Sequence, residues 1–259
     1  MKISVNSTSA ELEIDMFFGL FYGDWTVLLL LPAMIFAFIA QIKVNSTFKK
    51  YNRVRTARRI SGAEAARRIL DRNGLYQVRV ERVHGHLTDH YDPRANVIRL
   101  SEATYDSTSV AALGVAAHEA GHAVQHATDY APIKLRAAII PVTQIGSRLA
   151  MPVFLIGLLL TYMTYVDLYV GSIIMVVGIV LFSLTALFQL ITLPTEFNAS
   201  ARALKILEES EILYGDEVKG ARKVLSAAAM TYVAALATSL AYLLRFILIA
   251  AGASGRRRS

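Results

Sequence analysis

"VAALGVAAHEAGHAVQHATDY", Val110 to Tyr130, decides how this chain is built. By hydropathy it passes for a membrane helix interrupted by a few polar residues. By chemistry it holds H-E-x-x-H, with His118, Glu119 and His122 in the spacing that aims two imidazoles at one ion. Residues four apart on a helix stand about 40° apart on nearly the same face, and Glu119 stands about 100° round from His118. Glu119 can therefore reach a water beside the ion without ligating. Zinc accepts neutral imidazole, and catalytic zinc sites leave one position open for water. Gly121, between the histidines, leaves room for a neighbouring backbone or a substrate. The blander reading is a polar stripe on a helix lining a bundle. Against it, two histidines and a glutamate are costly to bury in an apolar helix without a partner.

The surroundings are those of an integral membrane protein. The 259 residues are 54% hydrophobic and only 18% charged, with a mean hydropathy of +0.43, against roughly 25% charged in soluble domains. There is no cysteine, which excludes disulfides and thiolate sites and leaves His and carboxylate as the strong metal ligands. The net charge of +7 marks cytoplasmic flanks of membrane spans rather than a nucleic-acid partner, for which the chain carries no motif.

Four uncharged runs approach the roughly 20 residues that cross a bilayer: Trp25 to Ile42, Leu149 to Val166, Leu168 to Thr195 and Val224 to Leu244. The second and third are separated only by "TYVDLY" and read as a tight helical hairpin. Acidic residues before the first run argue for a retained signal anchor rather than a cleaved signal peptide. Lys and Arg crowd the stretches after Ile42 and after Glu196, and are missing from the 161–168 loop. The positive-inside rule then puts the N-terminus and that loop outside, and residues 43–148 and 196–223 in the cytoplasm. The terminal "GRRRS" opposes this: either the last run does not fully cross or its charges are tolerated.

Between the first two spans the sequence has soluble character. "SGAEAARRILDRNG" opens with a capping box, Ser61 to Glu64, and stops at Gly74. "YQVRVERV" reads as a strand and "VIRLS" as a second, with "DPRAN" a turn between them. Ser107 and Ser109 are candidate caps for the motif helix.

The hairpin delivers a third candidate ligand. Pro194 and Thr195 are expected to start a cytoplasmic helix whose first turn carries Glu196, which would complete a His-His-Glu set with a fourth position open. Its bland reading is a first-turn acid favoured by the helix dipole.

Several segments together resemble one family: "SGAEAARRIL", "GLYQVRVERV", "HLTDHYDP", "RLSEATY", "SVAALGVAAHEAGHAVQHA", "YAPIKLR", "TEFNASARAL" and "AAAMTYVAA". They resemble the neutral zinc metallopeptidases of bacterial membranes, the YugP-like proteases. The resemblance implies a zinc-dependent peptidase of the inner membrane with its active site facing the cytoplasm, His118, His122 and Glu196 as ligands and Glu119 as the catalytic residue. In broad plan the chain is also similar to gluzincins of the CAAX-protease and HtpX type. Those carry an Asp four residues after the ligand Glu; here that position is Ser200, with Asn198 nearer.

The expected fold is mainly α, with about four transmembrane helices and a small α+β zincin-like cytoplasmic domain. In order, the segments are an extracytoplasmic N-terminus (1–24), a first span (25–42), the zincin-like domain (43–135) and a second span with its lead-in (136–166). A third span (168–193), a cytoplasmic helical segment (194–223), a fourth span or partly inserted helix (224–252) and a basic tail (253–259) follow. His126 continues the histidine ladder but is expected to line the cleft or bond locally. His84, His86 and His90 form either a second metal site or a turn-rich loop. Tyr232 is a candidate donor to a developing oxyanion, or else an interfacial anchor. "NVIRLS" is expected to be an edge strand that pairs with an extended substrate. The expected partners are a membrane-associated protein or peptide substrate and the lipid bilayer; a zinc-binding scaffold or chaperone is the alternative.

Overall fold

The structure, a computed structural model, describes residues 25–85, 88–163 and 168–255. Residues 1–24, His86 and the 256–259 end of the basic tail lie outside the described residues, as do residues 164–167 of the expected 161–168 loop.

A short 3-10 turn, Trp25–Leu29, leads into α1, Leu30–Tyr51. Helix α2, Gly62–Arg72, has its capping box intact: Glu64 N–H donates to Ser61 Oγ while Ser61 N–H donates to the Glu64 carboxylate. Gly74 ends that turn at φ 73°, where a side chain would be strained. Strand β1 (Arg79–Val83), β2 (His90–Asp92) and β3 (Val97–Ser101) follow, then short α3 (Glu102–Tyr105) and the motif helix α4, Val110–Ala127. Ser109 caps α4 by accepting from Ala112 N–H at 3.1 Å. The last three helices are long: α5 (Ala131–Tyr162), α6 (Leu168–Glu209) and α7 (Asp216–Gly255).

The sheet order is β1-β3-β2, with β3 parallel to β1 and antiparallel to β2. This corrects the expectation for "NVIRLS": β3 is the central strand, hydrogen-bonded on both sides, and has no edge to offer. Val97, Ile98 and Leu100 are all fully buried, the near-continuous apolar run of a strand covered on both faces. The free edge beside α4 belongs to β2, which the turn-rich reading of "HGHLTDHYDP" did not anticipate.

Pro194 does not begin a helix. Helix α6 runs through it without a break, although the missing proline N–H leaves the Leu190 carbonyl without its helical donor. Glu196 therefore sits in the interior of one 42-residue helix. Likewise α7 begins at Asp216, ahead of the apolar run.

Among the described residues, four helical stretches are long and apolar enough to cross a membrane: Trp25–Tyr51, Ala131–Tyr162, Tyr169–Glu209 and Asp216–Ala253. Their outward faces carry large apolar side chains, among them Phe38, Ile145, Ile156, Val180 and Leu190, as lipid-facing helices do. The α5–α6 hairpin closes on small residues: a Cβ on Gly157 would meet Met175 N at 2.4 Å, and one on Gly178 would meet Phe154 N at 2.7 Å. Such residues let the two backbones touch where lipid supplies no hydrophobic drive.

The motif helix is not one of these four. Ala111, Ala112, Ala116, Ala117, Ala120 and Ala123 are buried. Ala111 packs with Phe48 of α1 and Val224 of α7, and Ala116, Ala117, Ala120 and Ala123 lie in a core shared with α2, β3, the end of α6 and the start of α7. Ala203, Leu207, Val218, Ala221 and Leu225 belong to that core, so the two long helices build the domain as well as the spans. The motif helix meets α6 closely at Gly121, where an added Cβ would sit 2.8 Å from Ala199 O. Backbone on both sides leaves nothing to yield, so Gly121→Ala is expected to cost about 1–3 kcal/mol by overpacking, read as a lowered melting temperature of the detergent-solubilised protein.

Candidate metal centre

Three polar side chains meet where α4 faces α6, His118 partly buried and His122 and Glu196 buried. The ligating atoms of His118, His122 and Glu196 all lie within 4.8 Å of one another. His118 Nε2 is 3.3 Å from Glu196 Oε2, and His122 Nε2 is 3.6 Å from the same oxygen. Glu196 is 2% exposed, and a carboxylate so deeply buried needs cationic or donor partners.

Each imidazole is fixed from behind. His118 Nδ1 is 3.2 Å from Ser200 Oγ, and His122 Nδ1 is 2.9 Å from Gln125 Oε1. The amide oxygen only accepts, so His122 Nδ1 carries a proton and Nε2 is the nitrogen left for a metal or a second proton. The Ser200 hydroxyl accepts from His118 in the same way when Nε2 serves as ligand. Burial disfavours the charged form of His122, but the hydrogen bond and charge of Glu196, with the charge of Glu119, outweigh it and raise its pKa. A proton and a metal therefore compete for one nitrogen. Two Nε2 lone pairs and one carboxylate oxygen, with no thiolate, form a donor set that suits zinc in a site with an open position.

Ser200 stands where the sequence left the supporting group in question, and Asn198 belongs to the same shell at one remove. Gln125 Nε2 donates to Asn198 Oδ1 at 2.9 Å and to Thr195 O at 2.8 Å, while Arg202 Nε donates to Asn198 Oδ1 at 2.8 Å. Gln125 is fully buried and was not singled out from the sequence. Its position at i+3 from His122, on the same helix face, was the available signal. Gln125→Leu would strand the His122 Nδ1–H, and the expected result is zinc affinity weaker by about 10–100-fold, measured by competition with a chelator.

Glu119 is 8% exposed and stands outside the three-ligand group. Its Oε2 accepts from the backbone N–H of Tyr91 at 3.0 Å, so the outer edge of β2 points at this carboxylate. Tyr232, on α7, lies close enough to Glu196 and Glu119 to feel both charges. Arg136, near the start of α5, also went unread in the sequence: its Nη1 donates to Glu196 Oε1 at 3.1 Å.

The other described histidines, His84, His90 and His126, stay apart. His126 packs its ring against Tyr91, centroids 5.5 Å apart, and burial together with the charges of His122 and Arg136 holds its pKa down. His84 is fully exposed and pairs with Glu102 at 2.7 Å, and His90 Nδ1 bonds to Thr88 O at 2.8 Å. Among the described residues the three-ligand group is the one metal-competent cluster.

Over residues 26–251 the chain matches the family described as "Putative neutral zinc metallopeptidase". It is 49% identical over 223 residues to "Putative membrane protease YugP" of Bacillus subtilis (strain 168), an alignment covering 86% of this chain and 95% of that protein. No solved structure matches it.

Proposed function

The chain belongs to this neutral zinc metallopeptidase family and is a multi-pass membrane protein, and from that premise we propose that it is a zinc metalloendopeptidase. It cleaves peptide bonds of membrane or membrane-adjacent proteins at the cytoplasmic face of the bacterial inner membrane. The observation that carries this reading is the convergence of His118 Nε2, His122 Nε2 and Glu196 Oε2 beside a buried carboxylate, Glu119, that is not one of them. A purely structural site has no use for that fourth group.

Bound zinc would lower the pKa of a water toward neutral and polarise the scissile carbonyl. Glu119 is the general base: one of its oxygens is held by Tyr91 N–H, and the other is left to take the proton of the attacking water. The same carboxylate then returns the proton to the leaving amine. Tyr232, in the electrostatic reach of Glu196 and Glu119, is the donor candidate for the negative oxygen that develops on the substrate. The substrate lies extended beside β2, where the outward Tyr91 carbonyl serves strand pairing while the Tyr91 N–H stays with Glu119. The cytoplasmic assignment rests on the Lys and Arg residues that follow the first span, Lys43, Lys49, Lys50, Arg53 and Arg55 among them.

The test is proteolysis by the purified, zinc-loaded chain on a membrane-protein substrate, with Glu119→Gln as the paired variant. Equal cleavage by both, or none by the zinc-loaded protein, would sink the reading.

A further inference from the structure

The two oxygens of Glu196 are treated differently by the fold. Oε2 faces both imidazole Nε2 atoms, at 3.3 and 3.6 Å. Oε1 faces away from them and accepts from Arg136 Nη1 at 3.1 Å. The pair is well covered, with side-chain exposures of 29% for Arg136 and 3% for Glu196. Arg136 makes no other hydrogen bond among the described residues, and its Nε is buried without a partner. A guanidinium with five donors is thus committed through one of them to one carboxylate oxygen.

Arg136 reaches that oxygen because the chain reverses directly after the motif helix. Thr128 ends α4, Asp129 takes a positive φ of 53°, and α5 starts at Ala131. The second turn of α5 is thereby laid back over the metal group. A charged side chain at the head of an apolar helix is costly unless it serves a partner or a function, and the partner here is the third ligand.

We propose that Arg136 is a positioning residue that occupies Glu196 Oε1 and so holds Glu196 to one-oxygen ligation, which keeps the fourth metal position free for water. The inference rests on the zinc peptidase reading above. A carboxylate free to bring both oxygens to an ion takes up two positions, and a zinc site needs one of those for chemistry. Groups behind a ligand commonly set its orientation in this way.

The experiment uses the full-length protein in detergent with Co2+ in place of zinc, because the intensity of the Co2+ visible bands separates four-coordinate from five-coordinate sites. Wild type is expected to give the strong bands of a four-coordinate ion. Arg136→Gln is expected to keep its metal but show the weaker five-coordinate spectrum, with kcat for peptide hydrolysis down about 10–100-fold and KM little changed. Arg136→Lys, which retains a charge and a donor, is expected to restore the strong bands, and it carries the test if the Gln variant does not fold. A wild-type spectrum in Arg136→Gln, or a weak one in Arg136→Lys, overturns the proposal. Failure of the wild type itself to bind Co2+ or zinc would instead remove the peptidase reading on which it stands.

Discussion

Glu119→Gln is expected to lower kcat for peptide hydrolysis by about 10²–10⁴-fold while zinc content and melting temperature stay at wild-type values. That loss is about 2.7–5.4 kcal/mol of barrier, at 1.36 kcal/mol for each factor of ten. Glutamine has the size of glutamate, and its amide oxygen can still accept from Tyr91 N–H, which now bonds Glu119 Oε2 at 3.0 Å. What it cannot do is take a proton from water at neutral pH. Because Glu119 is not in the three-ligand group, the metal should remain. A fall in kcat with unchanged KM identifies a group that acts in the transition state rather than in substrate binding. Loss of zinc in the variant, measured by metal analysis, would show that Glu119 holds the site together rather than moving the proton.

How much of this was legible in the sequence depended on whether a signal was local. The motif helix carried its own evidence in the Ser109 cap and the i, i+4 histidines, and the structure places both as expected. Helix α2 was equally readable because its capping box is a contact within one turn. Pro194 misled for the same reason: proline is favoured at a helix start, but packing of α6 against α5 and α7 carries the helix through it. Arg136 gave no periodic signal, since it acts on a residue 60 positions away, and the i+3 spacing of Gln125 from His122 was a signal that took its meaning from partners 70 or more positions away. The sheet order is likewise a matter of pairing that no single strand encodes. The full burial of Val97, Ile98 and Leu100 matches a central strand, and "VIRL" with one charge among three apolar residues hinted at it.

The metal itself should be visible as stability, and His122→Ala is expected to abolish that signal. A ligand that binds only the folded state stabilises it by about 4.1 kcal/mol when its free concentration is 1,000 times Kd. In the wild type, zinc should therefore raise the melting temperature markedly over the chelator-treated protein. His122 is the ligand whose removal should matter most to this difference. Its Nε2 is one of the two nitrogens facing Glu196 Oε2, and its Nδ1 anchors the chain of bonds through Gln125 and Asn198 to Arg202. Without the ring, two donors remain, too few for a protein site that normally supplies three. The variant and wild type should then melt alike once zinc is stripped, apart from the packing lost with the ring, and only the wild type should respond when zinc is returned. His126→Ala is the control, because that ring faces Tyr91 and stands outside the ligand group; its zinc response should match wild type. If His122→Ala keeps the full zinc-induced shift, the metal is held elsewhere, and the site at the meeting of α4 and α6 is not the zinc centre.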